Sequence, residues 1–174
     1  MISDTLKNRV GPELLPLFAR FTFAATLFLF FWRSALTKLG DGFSGLWTPS
    51  LNAYAQVLPK KFEAAGYDIS AMGAMDQLIV VLGAWGEFAL PVLIVLGLFT
   101  RLASLGMLAF LAVMTWVDIF SHGVVPGVWF DGDPKGIVAD LRLYWVLALL
   151  VLLCHGGGKL SVDHYLKRFI PWAI

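Results

Sequence analysis

Charge is scarce in this chain. Only 14% of its 174 residues are Asp, Glu, Lys or Arg, whereas a soluble domain carries about 25%. No basic stripe forms. Lys60-Lys61 and Lys167-Arg168 are isolated pairs, which suit interfacial anchoring better than a phosphate backbone. With a formal net charge of +1, nothing points to nucleic acid as a partner. Cysteine is nearly absent too. Cys154 stands alone, so neither an intrachain disulfide nor a Cys-x-x-Cys redox pair can form. His122, His155 and His164 are the only histidines. On the spans proposed below they fall at the outer lip, at the inner end and beyond the last span. They cannot meet, so neither a bis-histidine haem nor a metal site is expected, and no resident cofactor.

What the chain has in quantity is apolar length. Hydrophobic residues make up 59% of it, concentrated in four runs: Leu17–Leu39, Leu78–Phe99, Leu102–Phe120 and Ile137–Cys154. A hydrocarbon core about 30 Å thick needs about 20 helical residues, and each run reaches or nearly reaches that. Backbone groups in lipid must be satisfied within the segment, which makes helices the default. The period-2 alternation of a membrane barrel is missing. The expectation is one all-α domain over residues 1–174, an integral membrane four-helix bundle in a lipid bilayer. The first run follows a basic N-terminus but is too long for a signal-peptide core, so it reads as a retained span.

Four spans put both termini on one side. That side would hold Lys7, Arg9, Arg101, Lys159, Lys167 and Arg168; the other, only Lys60, Lys61 and Lys135. The bias predicts cytoplasmic termini. Thr100-Arg101 reads as a tight inner turn. In the long outer loop from Gly40 to Gln77, Ser50 can cap a short helix that Pro59 stops, with Leu51, Tyr54, Ala55 and Leu58 on one face. The second outer loop, Ser121 to Gly136, is rich in turn residues. After Cys154, Gly156-Gly157-Gly158 can end the last span and Ser161 can cap a short interfacial helix, with Leu160 and Tyr165 as a hydrophobic staple and Phe169, Ile170 and Trp172 bedding it. No strand precedes these glycines, so they do not read as a phosphate loop.

Against this background the few intramembrane charges stand out. Glu87 interrupts the second run, Arg33 the end of the first, Asp118 the end of the third, and Asp140 and Arg142 open the fourth. Each costs about 2.5–3.5 kcal/mol on insertion scales, so each must pair or face a polar cavity. At a rise of about 1.5 Å per residue, Glu87 falls about 14 Å below the outer end of its run, Arg33 about 9 Å and Arg142 about 7 Å. All lie in the outer half, with Lys38 and His122 capping the same region. Gly83 stands one turn from Glu87 and lets a neighbouring helix approach. Trp32, Trp85, Trp116 and Trp145 accompany the charges.

Two readings of this cluster stay open. In the structural one, Arg33–Glu87 and Asp118–Arg142 are ion pairs that fix helix register. In the functional one, the cluster is a quinone pocket. Glu87, Arg33 and Asp118 would be its chemical groups, and Trp85, Gly83, Tyr144, Arg142 and His122 would line the slot, with a proton path to the outer water through Asp118 and His122.

The order and spacing of several elements resemble the DoxX family of small four-span membrane proteins. These elements are Arg20, Ser34 to Lys38, Glu87, the stretch Leu96-Gly97-Leu98-Phe99-Thr100-Arg101 with Leu102-Ala103-Ser104-Leu105, and Gly156-Gly157-Gly158-Lys159-Leu160-Ser161-Val162-Asp163. The resemblance covers roughly Leu17 to Asp163. It implies a bacterial or archaeal inner-membrane protein with redox associations, related to the DoxD subunit of thiosulfate:quinone oxidoreductase. It supplies no agreed catalytic set. The expected function is a membrane subunit of a quinone-linked oxidoreductase, with quinone as substrate and a partner subunit or second copy beside it. The alternatives are a non-catalytic anchor or assembly partner for a redox or metal-handling enzyme, and a small-solute transporter.

Overall fold

A computed structural model describes residues 11–167, and within them every regular element is helical. Four helices are long and apolar enough to cross a membrane: Glu13–Lys38, Ala74–Leu96, Thr100–Phe120 and Ile137–His155. The end nearer both termini is called inner below. Lys7, Arg9, Arg168, Phe169, Ile170 and Trp172, used in the charge count and the C-terminal helix, lie outside the described residues.

Span one is not one uniform helix. Helix α1, Gly11–Phe23, leads through a π-helical turn, Ala24–Phe28, into α2, Leu29–Lys38. Within the wide turn the Thr26 hydroxyl donates to the Thr22 carbonyl at 2.7 Å, a local bond that competes with the regular ladder and bends helices. A π turn adds a residue and redirects the helix face that follows. The inner half, α1, accordingly packs on span four, and the outer half, α2, on span two.

The outer loop folds into two short helices, α3, Leu51–Val57, and α4, Pro59–Ala64. Ser50 caps α3 as expected, accepting from the Ala53 amide at 3.3 Å. Pro59 does more than stop that helix: it opens the next one at the first position, where its missing N–H costs nothing. Ala53, Tyr54, Phe62 and Val80 form a small satellite core that clamps this cap to span two. Burial, and then the nearby Asp76 charge, hold the Tyr54 phenol above its ordinary pKa. Hydrogen bonds from the Ser70 hydroxyl and amide hold the exposed Asp68 carboxyl below its own.

Span two, α5, runs from Ala74 to Leu96, starting four residues before the expected Leu78. Its N-terminus is fixed by Asp76, which accepts from the Gly73 amide at 2.9 Å and from Lys61 at 2.6 Å. It ends at Gly97, whose φ of 68° needs glycine. Span three, α6, is Thr100–Phe120. The tight turn makes α5 and α6 antiparallel neighbours, and Gly106 lets Leu90 approach closely. Span four opens with a second π turn, Ile137–Leu141, and continues as α7, Arg142–His155. Ser161 caps the short α8, Val162–Leu166, as expected. Leu160 and Tyr165 are both well exposed rather than buried as a staple. The main core lies between the spans and is built from Phe23, Leu27, Phe31, Ile94, Met107, Leu111, Leu149 and Leu152.

Candidate functional site

The central charge is Glu87, and its partner is not the expected one. Lys38 donates to both Glu87 oxygens, at 3.1 and 2.9 Å. Each of the two residues is only 4% exposed. Lys38 also donates to Ser34 Oγ at 2.8 Å. The directions of the helices explain the meeting. Side chains lean toward their own helix N-terminus. Lys38 therefore leans inward from the end of α2, and Glu87 leans outward from antiparallel α5. Arg33 is exposed and makes no hydrogen bond or ion pair among the described residues. The Arg33–Glu87 pair expected from sequence is thus replaced by Lys38–Glu87. Phe31, Ala35 and Lys38 share the buried stripe of α2, and Arg33 is on the other side.

Depth also needs correction. Because α5 starts at Ala74, Glu87 is about 20 Å from its outer end and about 14 Å from its inner end by helical rise. It sits near the middle of a hydrocarbon layer about 30 Å thick. Pro91, buried one turn on, cannot donate to the Glu87 carbonyl.

Asp118 and Arg142 do pair across spans three and four. Arg142 also donates to Thr115 Oγ1 at 2.6 Å, and its Nε is buried without a partner. This pair stands apart from Glu87. Gly86 of α5 lies against Phe110 of α6, and Asp118 is two turns further out, about 12 Å by rise. The charges expected in one cluster are therefore two separate pairs at different depths.

The remaining candidate residues hold the outer loops. Trp85 donates its indole N–H to the Leu46 carbonyl at 3.1 Å and packs on Trp47, about 200° round the helix from Glu87. Gly83 faces Val57 of α3, so the small residue does admit a helix, but one from the cap. His122 meets the Gln56 carbonyl at 3.3 Å. Asp140 accepts from the Gly136 amide at 2.9 Å and closes the turn into span four. Tyr144 is 60% exposed on α7.

One opening does adjoin the buried pair. It lies on the outer half of span one, next to an aromatic contact with span four. Phe30 meets Trp145 there, with ring centroids 5.5 Å apart. Leu29, Phe30, Arg33, Ser34 and Thr37, all of α2, line a shallow groove of about 480 Å³. Ser34 belongs to this groove and is also bonded to Lys38. A hydroxyl thus links a membrane-facing groove to a buried ammonium–carboxylate pair, with an unpaired guanidinium beside it.

Sequence reasoning missed a second polar centre, at the inner end. Arg20 donates to the carbonyls of Ile94 and Val95, which end α5, at 3.2 and 2.5 Å, and to those of Gly157 and Leu160 at 3.1 and 2.6 Å. Asp163 accepts from the Phe99 and Thr100 amides at 2.6 and 2.9 Å, and from the Thr100 hydroxyl at 2.6 Å. One cation thus satisfies the carbonyl end of span two, and one carboxylate the amide end of span three. A Cβ on Gly157 would come within 2.6 Å of Ser161 Cβ and Thr100 Oγ1, so the glycines are needed for packing as well as for turning. The available signal was the position of Arg20 and Asp163 at the two ends of this region; their acceptors and donors are mostly backbone atoms.

The fold and its polar centres define a four-span helical membrane protein with a buried ion pair at mid-depth. The DoxX family model matches residues 15–119, and the chain belongs to that family. The match takes in Arg20, Lys38, Glu87 and the turn at Gly97–Thr100; span four and Asp163 lie beyond it. No curated protein and no solved structure matches the chain.

Proposed function

We propose that this chain is the membrane subunit of a quinone-linked oxidoreductase, embedded in a bacterial inner membrane with both termini in the cytoplasm. The observation that carries the reading is the membrane-facing groove on the outer half of span one, joined through Ser34 to Lys38–Glu87. A quinone ring needs an apolar slot entered sideways from lipid, a donor at each carbonyl and a source of protons. Phe30 supplies an aromatic wall, backed by Trp145. Arg33 supplies the free donors, since the Thr37 hydroxyl donates to the Ser34 carbonyl. Reduction to the quinol takes two electrons and two protons. The electrons come from the redox centre of a partner subunit. The protons pass from water through the Lys38–Glu87 pair and Ser34.

The test is purification of the complex in mild detergent, with quinone extracted and counted. Wild type should retain quinone, and Arg33→Leu should lose most of it. Glu87→Gln should keep quinone while turnover falls. No quinone above the level of an unrelated membrane protein would overturn the reading. Cysteines placed at Ala64 and Gly132 should label from outside intact spheroplasts; protection of both would reverse the orientation.

A second reading, the anchor or assembly partner, has its own observation. The second outer loop displays Val125, Val128, Trp129 and Phe130 well exposed, a patch suited to a partner subunit. In that reading, changes to this loop abolish recruitment and Glu87→Gln does nothing to activity.

A further inference from the structure

The inner end carries a second cavity that the quinone reading does not use. It has a volume of about 680 Å³ and lies where spans three and four meet the C-terminal segment. Five of its lining residues are basic or can become so: Arg101, His155, Lys159, His164 and Lys167. All five are exposed. Among the described residues two acids line it, and both are committed. Glu13 is paired with Lys159. Asp163 is held by two amides and a hydroxyl at the start of α6. Arg101 spends one donor on the Cys154 carbonyl, at 3.2 Å, and a guanidinium has five. With Lys159 committed to Glu13, Arg101 and Lys167 are the cations left to face the surroundings, against the amide-bound Asp163.

Its level says what those surroundings are. Thr100 is the first residue of span three and His155 the last of span four, so the cavity lies at the headgroup boundary. Beside it, Leu102 and Leu105 are 70% and 52% exposed on the outward face of α6. A cationic basin above an apolar, lipid-facing stripe matches one molecule with both characters. We propose that this basin seats the phosphate headgroup of an anionic phospholipid from the inner leaflet, with its acyl chains lying along Leu102 and Leu105. A soluble phosphate would satisfy the charge but has no use for the stripe. Bound there, the lipid clamps the C-terminal segment to the start of span three.

Native mass spectrometry of the full chain tests this, with phosphatidylglycerol and phosphatidylcholine offered in equal amounts. Phosphatidylglycerol should be retained preferentially. Retention should fall about fivefold with Lys167→Gln and again with Arg101→Gln, the expected effect of one juxtamembrane cation each. Lys60→Gln with Lys135→Gln, at the opposite end, should change nothing. The Lys167 change, on an exposed residue, keeps the test valid if the Arg101 change disturbs folding. Equal retention of the two lipids would overturn the proposal, as would an equal loss from the outer pair of changes. Release of phosphatidylglycerol by excess inorganic phosphate would show instead a site for a soluble anion. None of these outcomes depends on quinone.

Discussion

The two ends of the bundle solve the same problem in different ways. At the inner end, apart from the exposed Lys159–Glu13 pair, charge is spent on backbone. Arg20 and Asp163 complete the helix termini at the turn between spans two and three, and hold the glycine segment against them. Toward the outer end, charge is spent on charge: Lys38 with Glu87, Arg142 with Asp118, Lys61 with Asp76. A knot tied to backbone has one arrangement. A side-chain pair has at least two, since a proton can leave or the lysine can swing. On the proposed function, the difference would put rigidity at one end and chemistry toward the other.

The largest effects should come from breaking the inner knot. Arg20→Leu leaves four carbonyl bonds to a charged donor unmade, each worth about 1.5–3 kcal/mol. We expect a stability loss of at least about 3 kcal/mol, measured by denaturant titration in detergent, and poor yield from membranes. Gly97→Ala should cost about 1–2 kcal/mol, because its φ is 68° and a Cβ would meet Ser161 and Arg20. If both changes are tolerated within about 0.5 kcal/mol, the inner end is not the rigid one.

The Lys38–Glu87 pair comes next. Lys38→Met or Glu87→Leu alone strands a buried charge and should cost about 3–5 kcal/mol, whereas the double change should recover most of it. Arg33→Leu should leave stability within about 0.5 kcal/mol, since nothing among the described residues pairs with it. A double-mutant cycle on yield and melting measures the coupling. Strong coupling of Glu87 to Arg33 rather than Lys38 would reinstate the pairing expected from sequence.

The smallest effect separates the outer cap from both centres. Tyr54 is buried and its pKa is raised above the ordinary 10.0, by burial first and the Asp76 charge second. The unfolded chain then ionises this phenol before the folded one does. Its contribution is fully present below about pH 10 and is lost as pH rises through the folded value. Tyr54→Phe should remove this alkaline loss without moving neutral stability much. Unfolding of the cap is read by tryptophan fluorescence from Trp47 and Trp85.

The four spans, the Ser50 and Ser161 caps and the Asp118–Arg142 pair were legible because they rest on local length, local spacing or charge of opposite sign at matching depth. The partner of Glu87 was not. Arg33 and Lys38 both lie on α2, and their faces are told apart in soluble helices by apolar periodicity. In lipid the outward face is as apolar as the inward one, so that signal fades. The buried stripe of Phe31, Ala35 and Lys38 is less apolar than the outward Leu29, Phe30 and Leu36, the reverse of the soluble pattern. The π turn at Ala24–Phe28 adds a rotation that ideal spacing cannot supply. The inner knot was hidden for another reason: Arg20 and Asp163 bind backbone groups across 63 to 140 positions, and a carbonyl has no sequence signature.

The central proposal is that quinone chemistry occurs at the groove on the outer half of span one, beside the buried pair. Photo-crosslinking with an azido-quinone in native membranes, followed by peptide mapping, tests it most directly. The account predicts label on the α2 segment from Phe30 to Thr37 and on Tyr144 of α7, reduced by Arg33→Leu and unchanged by Lys167→Gln. Label spread evenly over the lipid-facing helices, or confined to the inner turn around Arg101, would contradict it.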